Sequence, residues 1–154
     1  MLLGFFLYKE SVNNNGSMYF PSERYPFTRV YEPRNRSAHM SPKGQTSLMV
    51  EIPCQRSEPI WHRDESALLK EIAQHLIKAR LFREDELLDA CIYRVHNAYP
   101  ILEKGYLDKT KPIYDYLSLF HNLHLTGRNG LFAYTHIHDH MVNGRNVVND
   151  LSPK

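Results

Sequence analysis

The sequence lacks the motifs that mark many common enzymes. It has no Gly-x-Ser-x-Gly nucleophile elbow and no glycine-rich phosphate loop, so acyl or phosphoryl transfer by this chain alone has little support. No apolar run approaches the roughly 20 residues that a membrane-spanning helix needs. The apolar start, Met1 to Tyr8, also lacks the basic region and the cleavage site of a signal peptide. It predicts a buried strand instead.

The chain also has few cysteines and a small net charge. The two cysteines, Cys54 and Cys91, are far apart in the chain and fit no zinc or redox spacing. They predict reduced, buried thiols of a cytoplasmic protein. The net charge of +2 is too small to favour a nucleic-acid partner. A length of 154 residues, with 42% hydrophobic residues, is typical of one soluble domain with a real core.

Strand signals fill the first part of the chain. Runs of β-branched, aromatic and other apolar residues predict strands at 1–8, 18–20, 27–31 and 46–52, separated by polar loops and prolines. The loop from Asn35 to Gly44 is rich in basic side chains. These side chains are either solvated or form a rim that faces a phosphate.

Helix signals dominate the remainder. From Asp64, a candidate N-cap, apolar residues recur on one face of an amphipathic helix of about four turns. Residues 88–97 favour a strand, 112–120 a short helix with proline in its first turn, and 123–125 a short strand. A glycine-bounded turn, a short aromatic strand and a helix towards Leu151 follow. This order predicts an α+β fold, with a mainly antiparallel sheet and helices on one side.

The stretch from Gly127 to Met141 concentrates the candidate chemistry. Backbone N–H groups at a helix start, with Arg128 close by, suit an anion or a polar ligand. The run from His136 to His140 is similar to the His-x-His-x-Asp-His run of metallo-β-lactamase-like hydrolases, but it is one residue short. No dependable set of further ligands follows, and side chains at such a junction point in different directions. The sequence therefore favours polar residues at a helix start over a metal site.

Gly127 to Tyr134 reads Gly-Arg-x-Gly-x-Phe-x-Tyr and leads into a helix. This run resembles the C-terminal segment of FAD-dependent amine-oxidase-like proteins, a group that includes protoporphyrinogen-oxidase-like enzymes and UDP-galactopyranose mutases. Upstream segments are similar, in the same order, to the substrate-side part of that group: 20–21, 27–35, 40–42, 44–51 and 97–100. The resemblance covers the chain from about Phe20 to Leu151.

Two departures from the family pattern define what this chain contains. No Gly-x-Gly-x-x-Gly motif occurs, so the N-terminal Rossmann unit that seats most of the cofactor is absent. The family's Met-Asp pair appears as Ile137-His138, followed by Asp139. The resemblance implies a C-terminal portion: residues 1–110 as substrate-domain-like sheet and helix, and 111–154 as the closing FAD-domain-like helix, strand, turn and helix, together one compact unit.

The resemblance also implies where the ligands lie. The turn would lie against the flavin, and the following helix start would face the ribityl or phosphate part of FAD. The cofactor-binding candidates are Gly127, Arg128, His138, Asp139 and His140. The substrate-side candidates are Arg29, Arg34 and Tyr99. From the residues alone, Arg128 could also cap carbonyls at a turn, and Tyr99 could simply pack before a proline; catalytic residues stay unassigned.

Two functions of different classes remain open. In the first, the intact parent is a flavoenzyme that binds FAD and either moves a hydride or uses flavin N5 in a sugar-ring rearrangement. The present chain would then be inactive alone and would need the missing N-terminal FAD-binding half, or a homo-oligomer, as its partner. In the second, the chain is a self-standing α+β module that self-associates without catalysis. A metal-dependent hydrolase is a distant third.

Overall fold

The computed structural model describes residues 1–151, and residues 152–154 lie outside the described part. The chain divides into two compact units, Met1–Val95 and His96–Lys154. The sequence-based division at residue 110, into substrate-side and cofactor-side parts, stays a prediction. None of the helices within residues 1–151 is both long enough and apolar enough to cross a bilayer.

The first unit contains a five-stranded sheet in the order β2-β3-β4-β1-β5. Every neighbouring pair is antiparallel, which confirms the predicted α+β fold and its mainly antiparallel sheet. The central strand β1 sets the register, with Leu3 opposite Val50 of β4 and Ile92 of β5. The strands are β1 Leu2–Leu7, β2 Met18–Tyr19, β3 Arg29–Tyr31, β4 Thr46–Glu51 and β5 Leu87–Tyr93.

One face of the sheet carries the hydrophobic core. Side chains alternate along a strand, so Leu3, Phe5 and Leu7 of β1 point to the same face, where all three are fully buried. Helix α1, Glu65–Lys78, covers this face with an apolar stripe. The stripe consists of Leu68, Ile72, Ala73 and Leu76. Burying each of the larger side chains contributes about 1.5–3 kcal/mol.

Asp64 begins α1 as predicted. Its side-chain oxygen accepts a hydrogen bond of 2.9 Å from the backbone N–H of Ala67. This bond satisfies one of the N–H groups that have no acceptor inside the first helical turn. The pKa of Asp64 lies below its usual range, chiefly because the Ser66 hydroxyl donates a hydrogen bond to its carboxylate. The bond from the N–H of Ala67 lowers this pKa further.

The other face of the sheet is open to solvent. Tyr19 and Tyr93 are 71% and 67% exposed. Cys91 lies on this face and is exposed, while Cys54 is half-buried, so the prediction of two buried thiols is wrong. Cys91 belongs to β5, one of the two edge strands, whose outer side no further strand of the described chain covers. On the same strand, the side chain of Asp89 accepts a hydrogen bond of 2.8 Å from the N–H of Ala90.

A buried carboxylate fixes the polar loop after β1. Glu32 is 0% exposed, and its oxygens accept hydrogen bonds from the N–H groups of Val12 and Asn13, at 3.0 and 3.1 Å. The hydroxyl of Thr46 donates a third bond of 2.6 Å. A buried carboxylate without such donors costs several kcal/mol. The predicted loop between β1 and β2 is therefore held in one conformation by a residue that the sequence did not single out.

The second unit is helical as far as it is described. Its helices are α2 Tyr106–Leu117, α3 Gly127–Gly130 and α4 Ile137–Leu151. The predicted helix towards Leu151 is confirmed by α4. The helix predicted at 112–120 begins earlier, after Gly105 in the left-handed region with φ of 77°, and it continues through Pro112 at the loss of one backbone hydrogen bond.

The short strands predicted in this unit are wrong. Residues 123–125 and the aromatic stretch after Gly130 form no strand. Phe132 has a positive φ of 45°, and the N–H of Ala133 donates to the carbonyl of Arg128 at 3.1 Å, so the backbone turns back on itself. Apolar and aromatic residues favour a strand only where a neighbouring strand can pair with them, and none within 96–151 does.

Candidate functional site

The candidate site of the second unit is built on the turn at Gly127. Gly127 has φ of 77°, a conformation that glycine adopts at little cost and other residues rarely adopt. A Cβ atom placed on it would meet no heavy atom within 4 Å. The backbone at this turn is therefore open on the side where a side chain would normally project, and a flat ligand can approach it closely.

Arg128 is clamped next to this opening. Its guanidinium carbon lies 5.1 Å from the ring centre of Tyr99 and 4.8 Å from that of Tyr134. The two rings stack on each other, with centres 5.7 Å apart and planes inclined by 23°. Arg128 also donates a hydrogen bond of 2.6 Å to the carbonyl of Thr135. Two cation–π contacts and one hydrogen bond thus fix a positive charge beside a partly exposed aromatic surface.

The start of α4 carries its own negative charge. The carboxylate of Asp139 accepts a hydrogen bond of 2.8 Å from the N–H of His136. That hydrogen bond is the main cause that lowers the pKa of Asp139, and the positive charge of nearby histidines contributes. A carboxylate at a helix N-terminus is stabilised by the helix dipole. It also repels a phosphate, so this helix start suits the hydroxyl groups of a polyol better than an anion.

The histidines near this helix start have different environments. His140 Nε2 lies 3.3 Å from the hydroxyl of Thr135, while its Nδ1 is buried without a hydrogen-bond partner among residues 1–151. His138 is exposed, and its ring stacks on His136 with centres 5.6 Å apart. Within the described chain, no three histidine, cysteine, aspartate or glutamate side chains converge as a metal site. A buried ring nitrogen normally has a partner, so Nδ1 of His140 is an unsatisfied polar atom within the described residues.

One residue that was predicted to contact the substrate and one that was predicted to contact the cofactor lie next to each other at this turn. Tyr99, a substrate-side candidate, contacts Arg128, a cofactor-side candidate. Thr135 connects Arg128 to His140, because its carbonyl and hydroxyl each bond to one of them. The sequence reasoning did not assign Tyr134 or Thr135. Tyr134 closes the Gly-Arg-x-Gly-x-Phe-x-Tyr run, so a signal for it existed, whereas nothing in the sequence marks Thr135.

Arg29 lies in the first unit, on the open face of the sheet. It forms a two-point ion pair with Glu51, in which Nε lies 2.9 Å from Oε2, and its guanidinium carbon is 5.2 Å from the ring centre of Tyr31. The hydrogen bond to Glu51 raises the pKa of Arg29. Because Glu51 balances its charge, an anionic ligand at Arg29 has to compete with that carboxylate.

Arg34 ties loops of the first unit together. Its guanidinium forms an ion pair with Glu10 and donates a hydrogen bond of 2.9 Å to the carbonyl of Gln45. Glu10 also accepts a hydrogen bond of 2.9 Å from the N–H of Gly44. The geometry gives Arg34 a structural role in the basic loop, and its predicted substrate contact stays a prediction.

Comparison with known proteins supports the fold of the chain. No protein-family model and no curated protein matches it. Among solved structures it is similar to a reduced UDP-galactopyranose mutase, with a TM-score of 0.71 and 22% sequence identity over 84% of this chain. The match spans 28% of the length of that enzyme. At this identity the likeness establishes a shared fold, and the chain therefore folds like one part of a UDP-galactopyranose mutase.

Proposed function

We propose that the chain is the C-terminal part of an FAD-dependent enzyme, either an oxidoreductase or a mutase similar to UDP-galactopyranose mutase. It would supply one side of the flavin and substrate site. The clamp of Tyr99, Arg128 and Tyr134 is the observation that carries this proposal. The fold likeness supports it, because the matched part of the chain has the architecture of a segment of such an enzyme.

The residues present fit the uncharged part of FAD. The open backbone at Gly127 accepts a flat ring, and the clamped Arg128 places a positive charge beside it. Asp139 can accept a hydrogen bond from a ribityl hydroxyl, and Nδ1 of His140, which has no partner among residues 1–151, is the proposed contact of another. His138, which is exposed at the same helix turn, is a further contact in this proposal.

The diphosphate of FAD is the part that this chain does not fit. Phosphates bind where backbone N–H groups of a glycine-rich turn converge at a helix start. This sequence has no Gly-x-Gly-x-x-Gly motif, and the start of α4 is occupied by the carboxylate of Asp139. The proposal therefore includes a separate FAD-binding half that holds the diphosphate, and the chain alone retains FAD weakly.

The chain's own residues bind and orient rather than react. When bound, the flavin supplies hydride transfer or, in a mutase, a nucleophilic ring nitrogen. Arg128 offers a fixed positive charge to electron density that develops on a nearby ring or substrate. Tyr99 gives the substrate an aromatic surface, and Arg29 and Arg34 are the proposed substrate-side cations. Glu51 already pairs with Arg29, so a substrate anion at this position would have to share the Arg29 guanidinium with that carboxylate.

A flavin titration of the purified chain tests this function. Riboflavin and FAD should both bind weakly, with similar affinity and with quenched flavin fluorescence, because the diphosphate gains no contact. Arg128→Ala should abolish the quenching, whereas Arg24→Ala, at an exposed arginine of the first unit, should leave it unchanged. Absence of quenching in the wild-type chain, or an unchanged Arg128→Ala variant, refutes the flavin surface. Stoichiometric FAD with redox turnover refutes the statement that the chain is inactive alone.

The self-associating module without catalysis remains a second candidate, because one observation favours it. None of residues 96–151 is buried, and many of their large apolar side chains are exposed. A unit of this kind gains stability by covering its apolar surface with another protein surface. A colourless chain that binds neither flavin and self-associates in solution would establish this alternative.

A further inference from the structure

Helix α4 presents an apolar stripe that faces solvent along its whole length. The stripe, called here the α4 stripe, consists of Ile137, Met141, Gly144, Val148 and Leu151. Its four apolar side chains are 80%, 73%, 62% and 59% exposed in chain order. The spacing alternates between four and three residues, which is the period of helices that pack side by side. No charged residue interrupts it.

Gly144, at the centre of the stripe, indicates close approach by another helix. Glycine inside a helix is less favourable than alanine, because it loses more backbone freedom on folding. Nothing within residues 1–151 uses its small size, because a Cβ atom at Gly144 would meet no heavy atom of this part of the chain within 4 Å. Its φ is also not positive, so the backbone conformation does not require glycine. A neighbouring helix that crosses directly over this position would use the missing side chain.

We propose that the α4 stripe packs against the α4 stripe of a second copy of this chain, antiparallel and centred on Gly144. Counted from Gly144, the apolar side chains lie seven and three residues before it and four and seven after it. Reversing the direction gives almost the same series, so Ile137 meets Leu151 of the second copy while Met141 interleaves with Val148. Antiparallel packing also places the opposite ends of the two helix dipoles side by side.

The area of the stripe is sufficient for a specific contact. At the exposed fractions given above, the apolar side chains offer roughly 500 Å² in each copy and roughly 1,000 Å² in a pair. This is about the smallest area of specific protein interfaces, so the dimer is expected to be in equilibrium with the monomer. The stripe and the clamp of Arg128 use different side chains, so separate substitutions can test the dimer and the flavin surface.

Sedimentation and disulfide trapping together test the proposal. The wild-type chain should sediment as a dimer at high micromolar concentration, and Met141→Glu should sediment as a monomer with unchanged circular dichroism. Leu107→Glu, at an apolar position of α2 that is 64% exposed, should remain dimeric. In a Cys54→Ser, Cys91→Ser background, Gly144→Cys should form an intermolecular disulfide on oxidation, whereas Asn146→Cys, which faces away from the stripe, should not.

The opposite results overturn the proposal. A wild-type chain that is monomeric at all concentrations shows that no second copy covers the stripe. A dimer that survives Met141→Glu but dissociates in Leu107→Glu assigns the contact to α2. If Asn146→Cys forms the intermolecular disulfide and Gly144→Cys does not, the two copies meet through a different face of α4. Riboflavin quenching, measured on the same samples, reports separately on the proposed function.

Discussion

The guanidinium carbon of Arg128 lies 4.8 Å from the ring centre of Tyr134, six residues further along the chain. The backbone makes this contact possible by turning back between them, where Phe132 has a positive φ of 45°. An arginine that stacks on an aromatic ring uses its planar shape as well as its charge. The relation between these two side chains can therefore be tested by a substitution that keeps only the charge.

Arg128→Lys should weaken riboflavin binding about tenfold, or about 1.4 kcal/mol. Lysine keeps the positive charge, but it loses the flat guanidinium that contacts the rings of both Tyr99 and Tyr134 and donates to Thr135. Fluorescence titration measures the effect, with Arg24→Lys as the matched control. Equal affinity in Arg128→Lys and wild type would show that only the charge matters at this position.

Glu32→Ala should lower the free energy of unfolding by about 3 kcal/mol, because it leaves the N–H groups of Val12 and Asn13 and the Thr46 hydroxyl without their common acceptor. Urea denaturation followed by circular dichroism measures the change. Glu23→Ala, at an exposed position, should stay within about 0.5 kcal/mol of wild type. A loss below about 1 kcal/mol in Glu32→Ala would contradict the anchoring role.

The start of α4 should loosen in acid. The pKa of Asp139 is lowered in the folded chain, chiefly by the hydrogen bond from His136, so its ionised form stabilises the fold. That stabilisation is complete above the ordinary aspartate pKa of about 3.9 and is lost as the pH falls through the lower folded value. NMR amide shifts of the first turn of α4 should follow this titration. Asp139→Asn should remove the acidic transition, and an unchanged transition in that variant would assign it to another group.

Gly127→Ala should destabilise the chain by about 1 kcal/mol, because alanine disfavours the left-handed conformation that Gly127 adopts, although space for a Cβ exists. Gly16→Ala is the matched control, since a Cβ there also meets nothing within 4 Å and its φ is not positive. Thermal unfolding compares the two. A neutral Gly127→Ala variant would show that the turn tolerates a different backbone conformation.

The sequence predicted the sheet unit well because each of its elements carries a strong local signal. Prolines bound the strands of the first part, and the β-branched and aromatic run after Cys91 marks β5, which was ambiguous by apolar content alone. Asp64 gave the start of α1 correctly because a cap is a local hydrogen bond. These elements depend on residues that are close together in the sequence, so local sequence patterns predict them.

The helical unit was predicted less well because its structure depends on backbone geometry that sequence patterns do not show. Residues 123–125 have strand-forming composition but no partner strand, and Phe132 adopts a conformation that is rare for an aromatic residue. The contact between Tyr99 and Arg128 joins positions far apart in the chain. Family resemblance selected both residues for different ligands, and only the fold could show that they touch.

Asp89 has a consequence for how this chain behaves in a crowded solution. β5 is one of the two edge strands of the sheet, and an edge strand with free N–H groups is a template for strand addition between molecules. The carboxylate of Asp89 already occupies the N–H of Ala90 and places a negative charge along that edge. Replacing Asp89 removes both this hydrogen bond and this negative charge, so the tendency of the chain to form fibrils should rise even though the buried core is unchanged.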